Sequence, residues 1–437
     1  MRNSNSPAVS RRNFIKAAGG LGVAAVAGWS PPLAAKPADI VVVTSYPDEV
    51  VSRFEAVFEK AFPQWRLRIV WHMPYDALPT LRQPGPQGVD VYWTPSPRNF
   101  AILKDERLLR KLDIDRSGLP GRIGNTRIDD TDGYFAATET AGYGFAVNPD
   151  YLKQHGLPEP TDWVDLADGR YAGHIALPNP GKVGFAPVMA DIPLQAYGWE
   201  KGWAMWSAIA ANSVLIDRGG TFVADELGSG RRGIGISIDF FVAAAIAKGA
   251  PLRFIYPKQG GVNPGQVAIM ANAHNLEGAR AFVAFLLSDV GQQMVTHADI
   301  RKLPVRPSVY AKLNGGYHNP FVAAAAGGYG YDSDRGQGRL PVIAALFDTV
   351  LAQRRDLLAA FWGKARAAGG ERGEKAKQLL SAVPISEAQA DWPEMQRVFA
   401  NRRADAKAEL VAAEMERQWA IETDARLVQA GKLMEAA

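Results

Sequence analysis

Asp39-Ile40-Val41-Val42-Val43-Thr44-Ser45-Tyr46-Pro47-Asp48 is an apolar run that breaks into polar residues and then opens a helical pattern. The run suits a buried strand ending in a loop. Pro47 and Asp48 suit a helix start, and Val51, Phe54, Val57, Phe58 and Phe62 then fall on one helical face. The alternation recurs. Residues 66–71 read as a second strand, and residues 89–94 as a third that ends in the polar turn Pro95-Ser96-Pro97. Strands alternating with helices predict a mostly parallel α/β sheet, in which ligands sit outside the carboxyl ends of the strands.

Working outward, residues 136–148 form a long strand suited to cross between two lobes, and Asn148-Pro149 ends it. A second α/β region follows over 151–248, with strands at 175–178 and 234–238. Residues 253–257 are placed to cross back, followed by a strand at 266–270 and a strongly periodic helix over 276–287. From about 341 to 437 the chain becomes rich in Ala, Glu, Arg and Lys. Leu346, Val350, Leu358 and Phe361, and later Leu410, Met415, Trp419 and Leu427, keep helical spacing, so this tail reads as several helices.

The N-terminus points to export. Ser10-Arg11-Arg12-Asn13-Phe14-Ile15-Lys16 precedes a Gly/Ala-rich apolar run over 17–29, the form of a twin-arginine signal. That run falls short of the ~20 apolar residues that span a bilayer. The competing reading is a chance arginine pair before an Ala/Gly-rich tail. Leu33-Ala34-Ala35 is a poor cleavage match and places the mature start near Lys36. Composition, 47% apolar and 22% charged over 437 residues, fits a soluble globular chain of two or three units, with no later stretch of membrane-spanning length. The absence of Cys excludes disulfides, thiolate metal sites, a Cys nucleophile and a lipid anchor built on Cys. A net charge of +4 argues neither for nor against nucleic acid, but no Lys/Arg tract is interleaved with aromatics.

Four segments carry a family resemblance: residues 41–62 (VVVTSYPDEVVSRFEAVFEKAF), 89–97 (VDVYWTPSP), the block from Thr140 to Pro180, and VAIMANAHNLEGARAFVAFLLSDVGQQM at 267–294. Through them the chain resembles the periplasmic solute-binding proteins of ABC importers, in their two-crossing, type 2 class, over roughly residues 39–310. The resemblance implies a two-lobed α/β fold that closes over a small ligand, plus a C-terminal helical extension beyond what the family requires. It implies residues 1–38 as signal and mature N-terminus, 39–145 with 255–320 as lobe 1, 146–254 as lobe 2 and 321–437 as the extension. The chain looks closest to the branch of iron(III), phosphoglycerate, sugar-phosphate and aminoalkylphosphonate binders. Iron binders of that branch carry adjacent tyrosines, whereas Tyr329 and Tyr331 here are separated by one residue. The resemblance therefore favours a small anionic, phosphorylated or phosphonate solute, an importer permease as partner and a periplasmic location.

A cleft that binds an anion needs backbone N–H groups at helix starts, hydroxyls and cations. Thr44, Ser45 and Tyr46 precede a helix and suit this role, although Thr44 and Ser45 equally suit capping, and Asp48 would repel an anion. Trp93 and Thr94 end a strand, where Trp93 suits stacking on a ligand or filling the core; Thr140 lies on the crossing strand. Gly181-Lys182-Val183-Gly184 follows a strand, so backbone can approach a ligand there, and an ordinary turn with an exposed Lys fits as well. Arg218-Gly219-Gly220-Thr221 has the same logic, with Arg218 the favoured cation. Ser237 and Asp239 follow a strand; Asp239 suits accepting from hydroxyls or an amine, or capping the next helix. Gly228 to Gly233 spells GxGxxG but precedes a strand, so it is no dinucleotide fingerprint. The six His lack paired spacing, and no GxSxG elbow is present, so no metal, cofactor or catalytic residue is expected. An iron(III) binder, a sensor subunit presenting its closed form to a receptor kinase, and a secreted enzyme are the competing functions.

Overall fold

The structure, a computed structural model, describes residues 37–82, 88–298, 300–313 and 316–435; the export-signal reading lies outside the described residues. The strands are β1 (Ala38–Thr44), β2 (Trp65–Trp71), β3 (Val91–Thr94), β4 (Leu109–Arg110), β5 (Arg122–Ile123), β6 (Thr126–Arg127), β7 (Phe135–Val147), β8 (Ile175–Pro178), β9 (Ser213–Ile216), β10 (Ile234–Ile238), β11 (Arg253–Ile255) and β12 (Val262–Met270).

Valines at 41–43 bury β1 on both faces, and β2 and β3 flank it in parallel. Pro47 sits immediately before the helix Asp48–Ala61, whose Phe54 and Phe58 turn inward. Phe58 meets Phe282 and Phe285 of the helix Leu276–Leu287 at ring distances of 5.2 and 5.5 Å. On the other face of the sheet, Tyr92 stacks on Phe100 at 4.9 Å. These packings make the core of lobe 1, whose sheet runs β2-β1-β3-β12-β7.

β7 is 13 residues long and is buried beyond Phe135. Its first half pairs antiparallel with β12, and its second half pairs with β10 on one side and β11 on the other. The chain thus crosses into lobe 2 along β7 and returns beside it. Gly142 and Gly144 permit that close return. A Cβ on Gly144 would stand 2.3 Å from the Ile255 carbonyl, and one on Gly142 would stand 2.5 Å from the Tyr256 ring. Lobe 2 continues as β10-β8-β9, all parallel. The strands at 175–178 and 234–238 and the helix at 276–287 fall where the sequence pattern puts them. β12 begins four residues before its apolar pattern, because Pro264 and Gly265 join the ladder despite poor strand propensity.

Beyond the helix Pro320–Ala325 the chain crosses a third time. Tyr329 packs into the lobe 1 core and Tyr331 into that of lobe 2. The extension follows as the helices Ser333–Val350, Arg355–Ala368, Gly370–Ser381, Glu387–Ala390, Pro393–Asn401 and Ala406–Glu435. Its first helix starts eight residues before the apolar spacing does, capped by Asp332, and carries Pro341 inside it. The extension is continuous with lobe 2. Phe347 meets Trp206 at 5.7 Å, the Trp362 indole donates to Ser207, and the Trp199 indole donates to the Ile385 carbonyl. Arg339, fully buried, donates to Asp191 (Nε–Oδ1 2.9 Å), also fully buried, and reaches Glu387 and Asp391.

Candidate functional site

The carboxyl ends of β1 and β3 in lobe 1 and of β8, β9 and β10 in lobe 2 carry most of the residues singled out by sequence. In lobe 1 the Thr44 hydroxyl accepts from the Tyr46 amide, and the half-buried Ser45 hydroxyl shares a short hydrogen bond with that of Thr94. Trp93 is core: its ring meets Tyr46 at 4.7 Å and Phe54 at 5.1 Å, and its indole donates to Thr138. Thr140 is also taken up structurally, bridging to Leu303 through both backbone groups.

In lobe 2 the three parallel strands bring the loops 179–185 and 217–219 and Asp239 to one edge. Lys182, Gly184, Arg218, Gly219 and Thr221 are exposed there, and Val183 is buried. Gly181 faces inward: a Cβ would lie 2.8 Å from Asp348 of the extension, to which Asn179 also donates. The Arg218 guanidinium lies over the Phe222 ring at 4.6 Å. Gly220 begins the helix Gly220–Gly228, which has no acidic residue in its first turn.

Ser237 is fully buried and its hydroxyl has no hydrogen-bond partner in the structure. Successive strand residues alternate in face, so Ser237 shares its side of β10 with Gly235. A Cβ on Gly235 would meet Val223 and Leu227 of the helix Gly220–Gly228. That helix runs antiparallel to β10, which puts Ser237 level with its first turn. Asp239 accepts at Oδ2 from the Gly142 amide (2.7 Å) and the Tyr256 hydroxyl (2.9 Å), while Oδ1 lacks a partner. Burial pushes its pKa up to about 7, against the pull of those two donors. An acid half neutral near pH 7 repels an anion far less than an ordinary aspartate does.

Sequence reasoning missed the junction between these edges. Glu139 on β7 accepts from the buried Lys302 (3.1 Å) and from the Tyr46 and Thr138 hydroxyls. Burial raises the Glu139 pKa and Lys302 opposes it. The Lys302 ammonium lies 4.4 Å from the Tyr46 ring in lobe 1 and 5.0 Å from the Phe240 ring in lobe 2, so one cation touches both lobes. Around it, Tyr310 donates to the Pro304 carbonyl and Tyr317 to the Lys302 carbonyl, and Tyr329 pairs with His318. Burial raises the pKa of each of these phenols. A lone Glu in an apolar crossing strand was a legible signal; Lys302, in an irregular segment, gave none.

Against known proteins, a profile of the bacterial extracellular solute-binding protein family matches residues 98–321. The chain is 28% identical over 312 residues to the phosphoglycerate transport regulatory protein PgtC of Salmonella typhimurium, covering 70% of this chain and 75% of that one. It is similar in fold to the periplasmic binding protein AfuA of Actinobacillus pleuropneumoniae, solved with fructose-6-phosphate. The TM-score is 0.54 at 19% identity, covering 72% of this chain and 99% of that one. Iron-bound HitA of Pseudomonas aeruginosa gives a TM-score of 0.55 at 14% identity, covering 70% of this chain and 99% of that one. Each solved chain is covered almost whole while more than a quarter of this one is left over.

Proposed function

The chain belongs to the bacterial extracellular solute-binding protein family, and from that premise we propose that it captures a small organic anion bearing a phosphate or phosphonate and delivers it to a membrane permease. The carrying observation is Ser237, a buried hydroxyl without a partner, level with the acid-free first turn of the helix Gly220–Gly228. Backbone N–H groups of a helix start, a hydroxyl and the neighbouring Arg218 are the donor set a phosphate oxygen takes. Ser45 and Thr94 supply the opposing hydroxyls, since Asp48 and Glu49 make the first turn of the helix Asp48–Ala61 unsuited to an anion. The half-neutral Asp239 tolerates the charge. The name of the Salmonella relative supports the phosphorylated class. Iron(III) is disfavoured, because the adjacent tyrosines of the iron binders are missing: Tyr329 and Tyr331 are separated by one residue and pack into different cores. We read the chain as a binder with no catalytic residue, exported through the twin-arginine route to the periplasm.

A thermal-shift panel of phosphoglycerates, sugar phosphates, aminoalkylphosphonates, plain sugars, amino acids and iron(III) tests this. A solute at ~100 times its dissociation constant stabilises by about 2.7 kcal/mol. The expected result is a shift from a phosphorylated compound that is lost in Ser237→Ala and Arg218→Ala. Silence from that set, with a shift from iron or a neutral sugar, overturns the reading. A second reading, a sensor subunit for a membrane receptor, is favoured by the word "regulatory" in the relative's name and by the added extension. Which membrane protein co-purifies, permease or receptor kinase, separates the two.

A further inference from the structure

The third crossing carries more than a connection. The hairpin β5–β6 of lobe 1 wraps the segment that leads into the extension. The Asn125 amide donates to the Tyr329 carbonyl (3.0 Å), the Thr126 hydroxyl to the Tyr331 carbonyl (3.0 Å), and the Arg127 amide to the Ser333 hydroxyl (2.9 Å). The Arg127 side chain pairs with Asp334 at 2.6 Å. On the lobe 2 side, the same segment is held by Gln195, which accepts from the Asp332 amide (2.8 Å) and donates to its carbonyl (3.1 Å). A second contact with lobe 1 lies far along the extension, where Arg98 donates to the Ala400 carbonyl (3.3 Å).

Between these grips stands Tyr329, with φ of 58° in the left-handed region that a bulky side chain avoids. Gly327, Gly328 and Gly330 flank it, so permissive positions were at hand one residue away. Its ring ties the crossing to lobe 1 and to the return crossing. The hydroxyl pairs with His318 at 2.7 Å, and a Cβ on Gly260 of the return crossing would touch the ring at 3.0 Å. Strained backbone persists where surrounding contacts over-determine it, and such positions cluster at switch regions.

We propose that the extension is a latch on lobe movement: it rides on lobe 2 and holds lobe 1 through the hairpin β5–β6, with Tyr329 as pivot. Lobe opening then requires the hairpin to release the 329–333 segment, so the extension sets the ratio of open to closed protein.

The chain has no Cys, so Arg68→Cys on lobe 1 and Lys248→Cys on lobe 2 can be labelled cleanly for distance measurement by paired spin labels, with no solute present. Thr126→Val, Tyr329→Phe and the double variant Arg127→Ala/Asp334→Ala are each expected to raise a longer-distance population. For the exposed ion pair the change is up to about fivefold in the open-to-closed ratio. Lys377→Ala, in an exposed pair within the extension, is expected to change nothing. Unchanged distance distributions in the double variant, with circular dichroism intact, overturn the latch even where Thr126→Val or Tyr329→Phe unfolds. Because no solute enters the measurement, this result is independent of the ligand assignment.

Discussion

In lobe 1 the helix Asp48–Ala61 buries Phe54 and Phe58 against Trp93 and the helix Leu276–Leu287 of the same lobe. In lobe 2 the helix Trp199–Asn212 buries Trp199, Trp203 and Trp206 against groups that arrive from the extension, among them Phe347 and the Ile385 carbonyl. One half of the molecule closes its own core and the other is finished by a segment more than a hundred residues downstream. The contrast teaches that the extension is a structural part of lobe 2, and that what happens there is felt in the lobe that holds Ser237 and Arg218.

The hardest test of that contrast is to stop the chain before Ser333. Three indoles of roughly 200 Å2 each, at ~25 cal/mol/Å2, set an upper limit of about 15 kcal/mol, because each also packs within lobe 2, and even half of that matches a whole domain's stability. The truncated protein is expected to be insoluble or to bind a hydrophobic dye strongly; a soluble, dye-silent product would mean lobe 2 is self-sufficient. Next comes Arg339→Ala, which leaves Asp191 buried without its partner and is expected to cost roughly 3–5 kcal/mol in urea unfolding. Replacing both by Met and Leu should recover most of that loss.

A smaller effect belongs to Gly265→Ala at the lobe junction. The new Cβ would lie 2.2 Å from the Tyr46 hydroxyl and closer still to Glu139, and overpacking of this kind costs about 1–3 kcal/mol. An unchanged melting temperature would show that the junction yields easily. Asp239 supplies a pH test. Its pKa is 3.8 ordinarily and about 7 when folded, so folding takes up a proton between those values. Its contribution to stability is therefore greatest below pH 4 and is lost as pH rises through 7. Asp239→Asn is expected to be the more stable protein at pH 8, with the gap to the parent closing toward pH 4; a gap independent of pH would contradict the buried carboxyl. The weakest expectation is for exposed pairs. Arg82→Ala in lobe 1 and Lys377→Ala in the extension should each stay within about 0.5 kcal/mol in thermal melts.

The α/β alternation was legible because β1, β8, β10 and the helix Leu276–Leu287 carry their burial in their own residue pattern. The crossing strand was legible for the same reason, through 12 consecutive buried positions. The start of the extension was not, because Arg339 and Gly336 are buried by an ion pair and a close contact rather than by apolarity. At the site, hydroxyls and glycines at strand ends could be picked out one by one. Which of them are already satisfied depends on tertiary neighbours: Asp239 takes the Gly142 amide from 97 residues away and the Tyr256 hydroxyl from 17, while the Ser237 hydroxyl is left without a partner. Lys302 acquires meaning only from Glu139, 163 residues away.

The ion pair between Asp191 and Arg339 also orders events in time. A ribosome making this chain has finished every strand of both sheets before Arg339 appears, and the Phe399–Trp419 stack comes later still. Lobe 1 can settle once Tyr329, the last residue of its core, emerges, but lobe 2 must wait with its indoles uncovered until synthesis is almost complete. Such long-range closure slows folding and leaves apolar surface open to aggregation meanwhile. The nascent protein should therefore depend on chaperones over the interval between Trp199 and the last helix, and codon changes that slow translation in that stretch should lower its soluble yield.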